Sequence, residues 1–293
     1  MPKNRKILAV MSDSHAGHKL GLCHPTTVLE AIENGEVKQY NPVLSETQKF
    51  IAEVYDWGIQ ETINIAGKDD VILIHNGDPI HGGAAFLEKM SSRLADQIII
   101  AQTNMEQWLK YKNVKTIRFV VGTGIHELGE GSATILIANA LIGKHPKVDI
   151  GVVYHGLLDV DGFLIDYAHH GASTGSRKWL EGNELRYYLR SIMISEIMAG
   201  RIPPHLVLRG HYHVYRKEYL EIDANDKTHE SWAVILPGFT FKDDYTRRAT
   251  RSEFKQSVGL LAFELLDGHL YKTHKFIQTV DIRTREKYET TIR

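Results

Sequence analysis

Apolar residues fall along this chain in two rhythms. Short unbroken runs at Lys6 to Met11, Val71 to Ile74 and Thr116 to Val121 end abruptly in polar or turn-forming residues, and they predict buried strands. Between them the spacing becomes helical. Ser45 and Gln48 stand at capping-box separation ahead of Phe50, Ile51, Val54, Tyr55, Ile59 and Ile63, with Gly67 as the stop. A second helical region is predicted from about Ala84 to Tyr111, and Ser132 to Ile142 reads as a further helix stopped by Gly143. Residues 16 to 44 keep no clean period and carry Gly17, Gly21, Pro25, Gly35 and Pro42. They predict a long loop, with room for a short helix at Thr27 to Asn34.

Strands alternating with helices imply a parallel sheet, whose sites gather at the carboxyl ends of its strands. The second half is richer in strands. Gly151 to Leu158 and Phe163 to Ala168 flank an Asp161-Gly162 turn and predict a hairpin, and Asn183 to Met198 predicts a helix ending at Gly200. Strands are expected near Leu206 to Arg209, Val214 to Ile222, Trp232 to Leu236, Val258 to Leu266 and His269 to Ile277. The fold class is therefore α/β, with two packed mixed β-sheets flanked by helices. No repeat, low-complexity run or linker interrupts the chain, so residues 1–278 are expected to form one domain. Residues 279–293, with seven charged residues among the last thirteen, are expected to form a loosely ordered charged tail.

Composition narrows the classes. With 293 residues, 43% apolar, the chain is long enough for a sizeable core, and no stretch nears the roughly 18 to 20 apolar residues of a membrane span. The basic start is followed only by Ile7 to Met11, short of the ~7 to 15 apolar residues of a signal peptide. Cys23 is the only cysteine, which excludes an internal disulfide or a thiolate cage and points to a cytoplasmic protein. With 35 basic and 36 acidic residues, the net charge of −1 lacks the basic excess of a generic nucleic-acid binder. The 16 histidines are what stand out.

Their placement carries the chemistry. Asp13-Ser14-His15 follows the first strand, Gly77-Asp78 the second and His126-Glu127 the third; His169 and His170 follow the hairpin, and Gly210-His211-Tyr212-His213 the strand at Leu206. An i, i+2 pair in strand-like backbone presents both side chains to one face, so Asp13 with His15, and His211 with His213, can each aim two ligands at one point. Carboxylate and imidazole without thiolate suit Mn, Fe, Zn or Co. Singly these motifs read blandly, as turns or surface pairs. Five of them at successive strand ends point to a metal centre.

The order Asp-x-His, Gly-Asp, a glycine loop ending His-Glu, a strand-end His, then Gly-His-x-His resembles the calcineurin-like metallophosphoesterase superfamily across about residues 6–215. The resemblance implies a metallophosphoesterase-like α/β sandwich holding two divalent metals about 3.5 to 4 Å apart that clamp a phosphoester. It implies that Asp13, His15, Asp78 and His213 hold one metal, with Asp78 bridging. His211 and either His169 or His170 would hold the other. The ions would be Mn, Fe, Ni, Co or Zn, with Mn preferred. The activity implied is hydrolysis of a phosphomonoester or phosphodiester by a hydroxide on the metals, with His126 as proton donor to the leaving group. A DNA or RNA exonuclease and a degenerate non-catalytic scaffold are the alternatives.

The third motif departs from the pattern. Where the family has Gly-Asn-His-Asp/Glu, this chain reads Gly122-Thr123-Gly124-Ile125-His126-Glu127. The asparagine ligand is absent, and Thr123, a loop carbonyl or water is left to complete the second site. Glu127 and Asn76 are candidates to ligate or orient there, and His81 to orient. Arg177 and Lys178 follow the fourth motif as candidate phosphate contacts, while Arg247, Arg248 and Arg251 read as a solvated charge run. The loop carrying His18, Lys19, Cys23 and His24 could form a lid. A phosphate-ester substrate is expected as the partner, with nucleic acid not favoured and no membrane; the oligomeric state is left open.

Overall fold

The computed structural model describes residues 4–83, 89–91, 93–129, 131–173, 182–242 and 254–287. Its centre is a six-stranded sheet built from β1 (Arg5–Met11), β4 (Asp70–His75), β5 (Val114–Val120), β6 (Asp149–Val153), β12 (Lys255–Leu266) and β13 (His269–Asp281). The order is β13-β12-β1-β4-β5-β6, with β1, β4, β5 and β6 parallel and the other two pairings antiparallel. A five-stranded sheet stacks on it, in the order β10 (Arg216–Ala224), β11 (Lys227–Ile235), β9 (Leu206–Arg209), β8 (Phe163–Ala168) and β7 (His155–Val160).

Side-chain alternation explains the layers. Leu8 and Val10 of β1 point to the second sheet and pack with Ile165, Leu206, Leu208 and Phe263. Ile7, Ala9 and Met11 point the other way, into a core with α1 (Glu46–Ala66), α2 (Leu94–Leu109) and α4 (Ser132–Lys144). Leu206 and Leu208 of β9 likewise face inward, while Val207 meets Leu185, Leu189 and Met193 of α5 (Asn183–Met198). The result is an α/β/β/α sandwich whose central strands β1, β4 and β9 are buried on both faces. The Ser45 cap is fully formed, its hydroxyl accepting from Gln48 N–H while the Gln48 side chain reaches back. No helix among the described residues is long and apolar enough to cross a membrane.

Five local expectations are corrected. The stretch at 27–34 is not helical: β2 (Leu29–Glu33) and β3 (Glu36–Tyr40) form a hairpin around Asn34-Gly35, both with positive φ as a tight hairpin turn requires. The second helix begins at Leu94, and the described residues between 84 and 93 are not helical. One strand expected from Gly151 to Leu158 is two, β6 and β7, which part at Tyr154 and enter different sheets. Gly143 lies within α4, not at its stop. The expected tail contributes Thr279 to Asp281 to β13, where Thr279 pairs with Ser257 in register. Arg177, Lys178, the Arg247 cluster and residues 288–293 lie outside the described residues.

Candidate metal centre

The loops that leave β1, β4, β5, β8 and β9 meet at one edge of the sandwich, and main-chain bonds knit them together beyond the last strand residues. Asp13 N–H donates to Gly77 O at 3.0 Å, His15 N–H to Asp78 O at 3.1 Å and Gly210 N–H to His169 O at 2.9 Å. Phe239 N–H closes the ring onto Asp13 O at 3.0 Å. Two glycines permit the closeness. A Cβ on Gly122 would fall 2.1 Å from Asp78 Oδ1, and one on Gly77, whose φ is +100°, would fall 2.2 Å from His169 Nδ1.

Two sets of ligand-type atoms are joined by the group Asp13, Asp78 and His169, which shares Asp13 with one set and His169 with the other. In the first, Asp13 Oδ1 lies 3.1 Å from His213 Nε2, and His15 Nε2 lies 3.3 Å from His213 Nε2 and 4.0 Å from Asp78 Oδ2. In the second, His169 Nε2 is 3.0 Å from Asp78 Oδ2. His169, His170 and His211 bring ring nitrogens within 4.8 Å of one another. Thr123 stands among them, its Oγ1 3.2 Å from Asp78 Oδ2 and 3.3 Å from both His170 Nε2 and His211 Nδ1, while its N–H donates to Asp78 Oδ1 at 2.6 Å. Of the adjacent pair, His169 is buried and His170 exposed, and both reach the group.

A third group was not foreseen. His15, His81 and His126 also bring ring nitrogens within 4.8 Å, and His18 packs on His81 with ring centroids 4.3 Å apart. The signal for it was non-local: Ala16 bridges Ile80 in parallel, and His81 N–H donates to Ala16 O at 2.9 Å, which folds the first loop over the second. His126 Nδ1–H donates to His81 O at 2.6 Å.

Glu127 and Asn76 act through hydrogen bonds. Glu127, fully buried, accepts from Gly122 N–H (2.9 Å), Thr134 N–H (3.0 Å) and Thr134 Oγ1 (2.6 Å), so it braces the loop against the start of α4 and joins no ligand group among the described residues. Asn76 works through its backbone. Its carbonyl accepts from Ser12 Oγ at 2.9 Å and from His169 Nδ1–H at 2.7 Å, which turns His169 Nε2 toward Asp78, and its side-chain amide donates to Ala168 O. Ser12, absent from the sequence reading, also donates to Asp13 Oδ2. Arg209, expected only as the end of a strand, is fully buried one residue before Gly210, paired with Asp166 at 2.6 Å and donating to the Tyr188 hydroxyl.

The electrostatics fit a cation. Burial alone would raise both carboxyls, but His213 and His169 bring Asp13 down, and His169 brings Asp78 down. Burial opposes charge on His169, yet Asp78 and Asp13 raise it to about 9. Two ionised carboxylates thus share a buried space with imidazoles as their counter-charges. His15, pushed well below its ordinary value by burial and by His126 and His213, is neutral, and its buried Nδ1 has no hydrogen-bond partner among the described residues. Convergent carboxylate oxygens and imidazole nitrogens, without sulfur, form a donor set for a borderline divalent ion.

Fold and site together define an α/β sandwich with Asp and His groups able to hold divalent metal at its strand ends. No protein-family model and no curated protein matches the chain. Among solved structures it is similar to a protein of unknown function, AQ665 from Aquifex aeolicus, at 13% identity over 72% of this chain and 81% of that one, with a TM-score of 0.32. It is also similar to a metallophosphoesterase from Sphaerobacter thermophilus, at 10% identity over 92% of this chain and 87% of that one, again with a TM-score of 0.32. Likeness at that level leaves the site to be read from this chain's own residues.

Proposed function

We propose that the protein is a binuclear-metal-dependent phosphoesterase. The observation that carries this reading is Asp78, grouped with Asp13 and His169 and with its Oδ2 3.0 Å from His169 Nε2 and 4.0 Å from His15 Nε2, which would let it serve both ions. Asp13, His15 and His213 would hold one divalent ion with Asp78. His169 and His211 would hold the second with Asp78, helped by the Thr123 hydroxyl and His170. Bound ions of this kind neutralise phosphoryl charge and make a nucleophile available near neutral pH.

The protein's own contribution is position and a proton. Ser12 Oγ and His211 N–H hold Asp13 Oδ2, while Thr123 N–H holds Asp78 Oδ1, so both carboxylates are fixed before substrate arrives. His126 is anchored through Nδ1 and its ring stands 4.5 Å from that of His15, which supports it as the residue that would protonate a leaving alkoxide. Thr123 in place of a side-chain amide offers a weaker neutral oxygen, so the second ion would be the more easily lost.

The test is turnover of p-nitrophenyl phosphate, its bis ester and cyclic nucleotides with Mn, Ni, Co or Zn added. Hydrolysis of at least one ester is expected, with two metal affinities of unequal strength. His126→Ala should keep its metal and lose turnover by about 10²- to 10⁴-fold, least for activated leaving groups. No hydrolysis with any of these metals would sink the reading, and full turnover by His126→Ala would remove the proton donor.

A further inference from the structure

Tyr215 follows His213 by two residues, so chain length alone keeps their Cα atoms within about 7 Å. From Tyr215 the chain enters β10, the edge strand of its sheet, and β10 runs antiparallel to β11 with Tyr219 opposite Trp232. Residues 215, 217 and 219 share one side of that strand by alternation. Tyr215 and Trp232 pack at the margin of the core between the sheets, and β13, the edge strand of the larger sheet, brings Lys275 to the same place. The open edge of the sandwich therefore carries a shallow, open cleft of about 660 Å³, lined from Tyr215 onward, two residues after His213.

Its walls are cationic and aromatic. Lys217 Nζ lies 3.5 Å from the centre of the Trp232 ring, and Lys275 Nζ lies 4.8 Å from that of Tyr215. Arg186 and Arg216 also line the cleft, against one acid, Glu218, among the described residues. Neither lysine is in an ion pair with a described residue. Burial, and after it the neighbouring Lys275, push the Lys217 ammonium below its ordinary value. The Tyr215 hydroxyl, buried at the same edge, has no hydrogen-bond partner among the described residues. A chain with a net charge of −1 has gathered Lys217 and Lys275 against two aromatic rings on one side of this edge, with Arg216 on the strand's other side.

We propose that this cleft holds phosphates flanking the scissile ester, and that the substrate is single-stranded nucleic acid running from the metal cluster along β10. The proposal rests on the phosphoesterase reading and supplies its substrate class. Lysines interleaved with aromatic rings are how sequence-tolerant single-strand grooves work. A duplex would need a broad basic surface, which the overall charge argues against.

The experiment is fluorescence anisotropy of a fluorescein-labelled oligothymidylate with the full chain in EDTA, where turnover consumes no probe. Binding is expected to weaken steeply with salt. K217Q/K275Q should bind at least tenfold more weakly, with the salt slope smaller by about 1.4, since each lost phosphate contact on a single strand removes about 0.7. K217R/K275R should restore binding, which separates lost charge from misfolding. Undiminished binding by K217Q/K275Q would overturn the proposal. So would binding of duplex as tight as that of single strand, or competition by inorganic phosphate at the oligonucleotide's own concentration, which would make the cleft a small-anion site. Wild-type turnover of bis-p-nitrophenyl phosphate with Mn is measured alongside. Its absence would remove the phosphoesterase reading while the anisotropy result stood on its own.

Discussion

Removing the Glu127 carboxylate should loosen the loop that carries Thr123 and His126 before it touches any metal ligand. The α4 N-cap, Gly131, has no side-chain cap, and Glu127 fills that role from outside by accepting the Thr134 N–H and hydroxyl. Its third bond, from Gly122 N–H, ties the same carboxylate to the end of β5. Hydrogen bonds to a charged group contribute about 1.5–3 kcal/mol each. Thr134 is fully buried and cannot turn to water, whereas Gly122 is partly accessible and can. Two unrecovered bonds at the low end of that range put Glu127→Ala at about 3 kcal/mol. For a chain of this length that is a fall of roughly 6 °C in melting temperature, read by calorimetry or circular dichroism. Glu127→Gln, which keeps one acceptor, should fall between, and a double-mutant cycle with Thr134→Val should show coupling of about 1 kcal/mol. Metal affinity should drop only as far as the loop moves. If Glu127→Ala melts within about 1 °C of wild type but loses its metal, the carboxylate is a ligand and the bracing argument is wrong.

Gly122→Ala should displace Asp78, because the added methyl would sit 2.1 Å from Oδ1 and 2.3 Å from the backbone N; at least tenfold less metal should survive desalting, measured by elemental analysis, and undiminished retention would show that the contact relaxes freely. Arg209→Met should strip Asp166 and the Tyr188 hydroxyl of a buried partner, costing about 3 kcal/mol in urea denaturation; less than 1 kcal/mol would mean that His155, also on Asp166 at 2.9 Å, suffices. Burial pushes the Cys23 thiol from 9.0 up to about 11, so at pH 8 a disulfide reagent should label it at least 100-fold more slowly in the folded chain than in urea. Because the unfolded chain gives up that proton first, the same burial should make stability fall as pH rises from about 9 to 11, and a Cys23→Ala variant should lose that slope.

What could be read from the sequence follows from what burial imprints on it. Strands buried on both faces, such as β1 and β4, are solid apolar runs, and α1 carries its capping box and its stripe in plain view. The hairpin β2–β3 escaped because it has little core to report: β3 is exposed throughout and β2 buries only Leu29, so no period of two arises. Its one local signal was Asn34-Gly35. The division of β6 from β7 escaped for a different reason. Changing sheets at Tyr154 needs no glycine or proline, and which sheet a strand joins depends on partners far away in the chain.

The convergence of Asp13 with His15, and of His211 with His213, was expected from strand alternation, and its actual cause is backbone strain. β1 ends at Met11 and β9 at Arg209, so none of the four lies in a strand. Their φ angles are 54°, 41°, 73° and 52°, and Asp78 joins them at 52°. Left-handed backbone is uncommon outside glycine, though Asp and His tolerate it better than most, and each such residue costs on the order of 1–3 kcal/mol. Five of the residues aimed at one point carry this cost. Most of the remaining non-glycine residues with positive φ are Asn or Asp in ordinary turns. Glycine would relieve the strain at each of the five but has no side chain to ligate. The neighbouring Gly77 and Gly122 instead supply the closeness, one against His169 and the other against Asp78. Strain concentrated on side chains with ligand atoms, beside glycines that yield space to them, is what a site built to hold cations requires, whereas a scaffold using the same loops would gain by relaxing it.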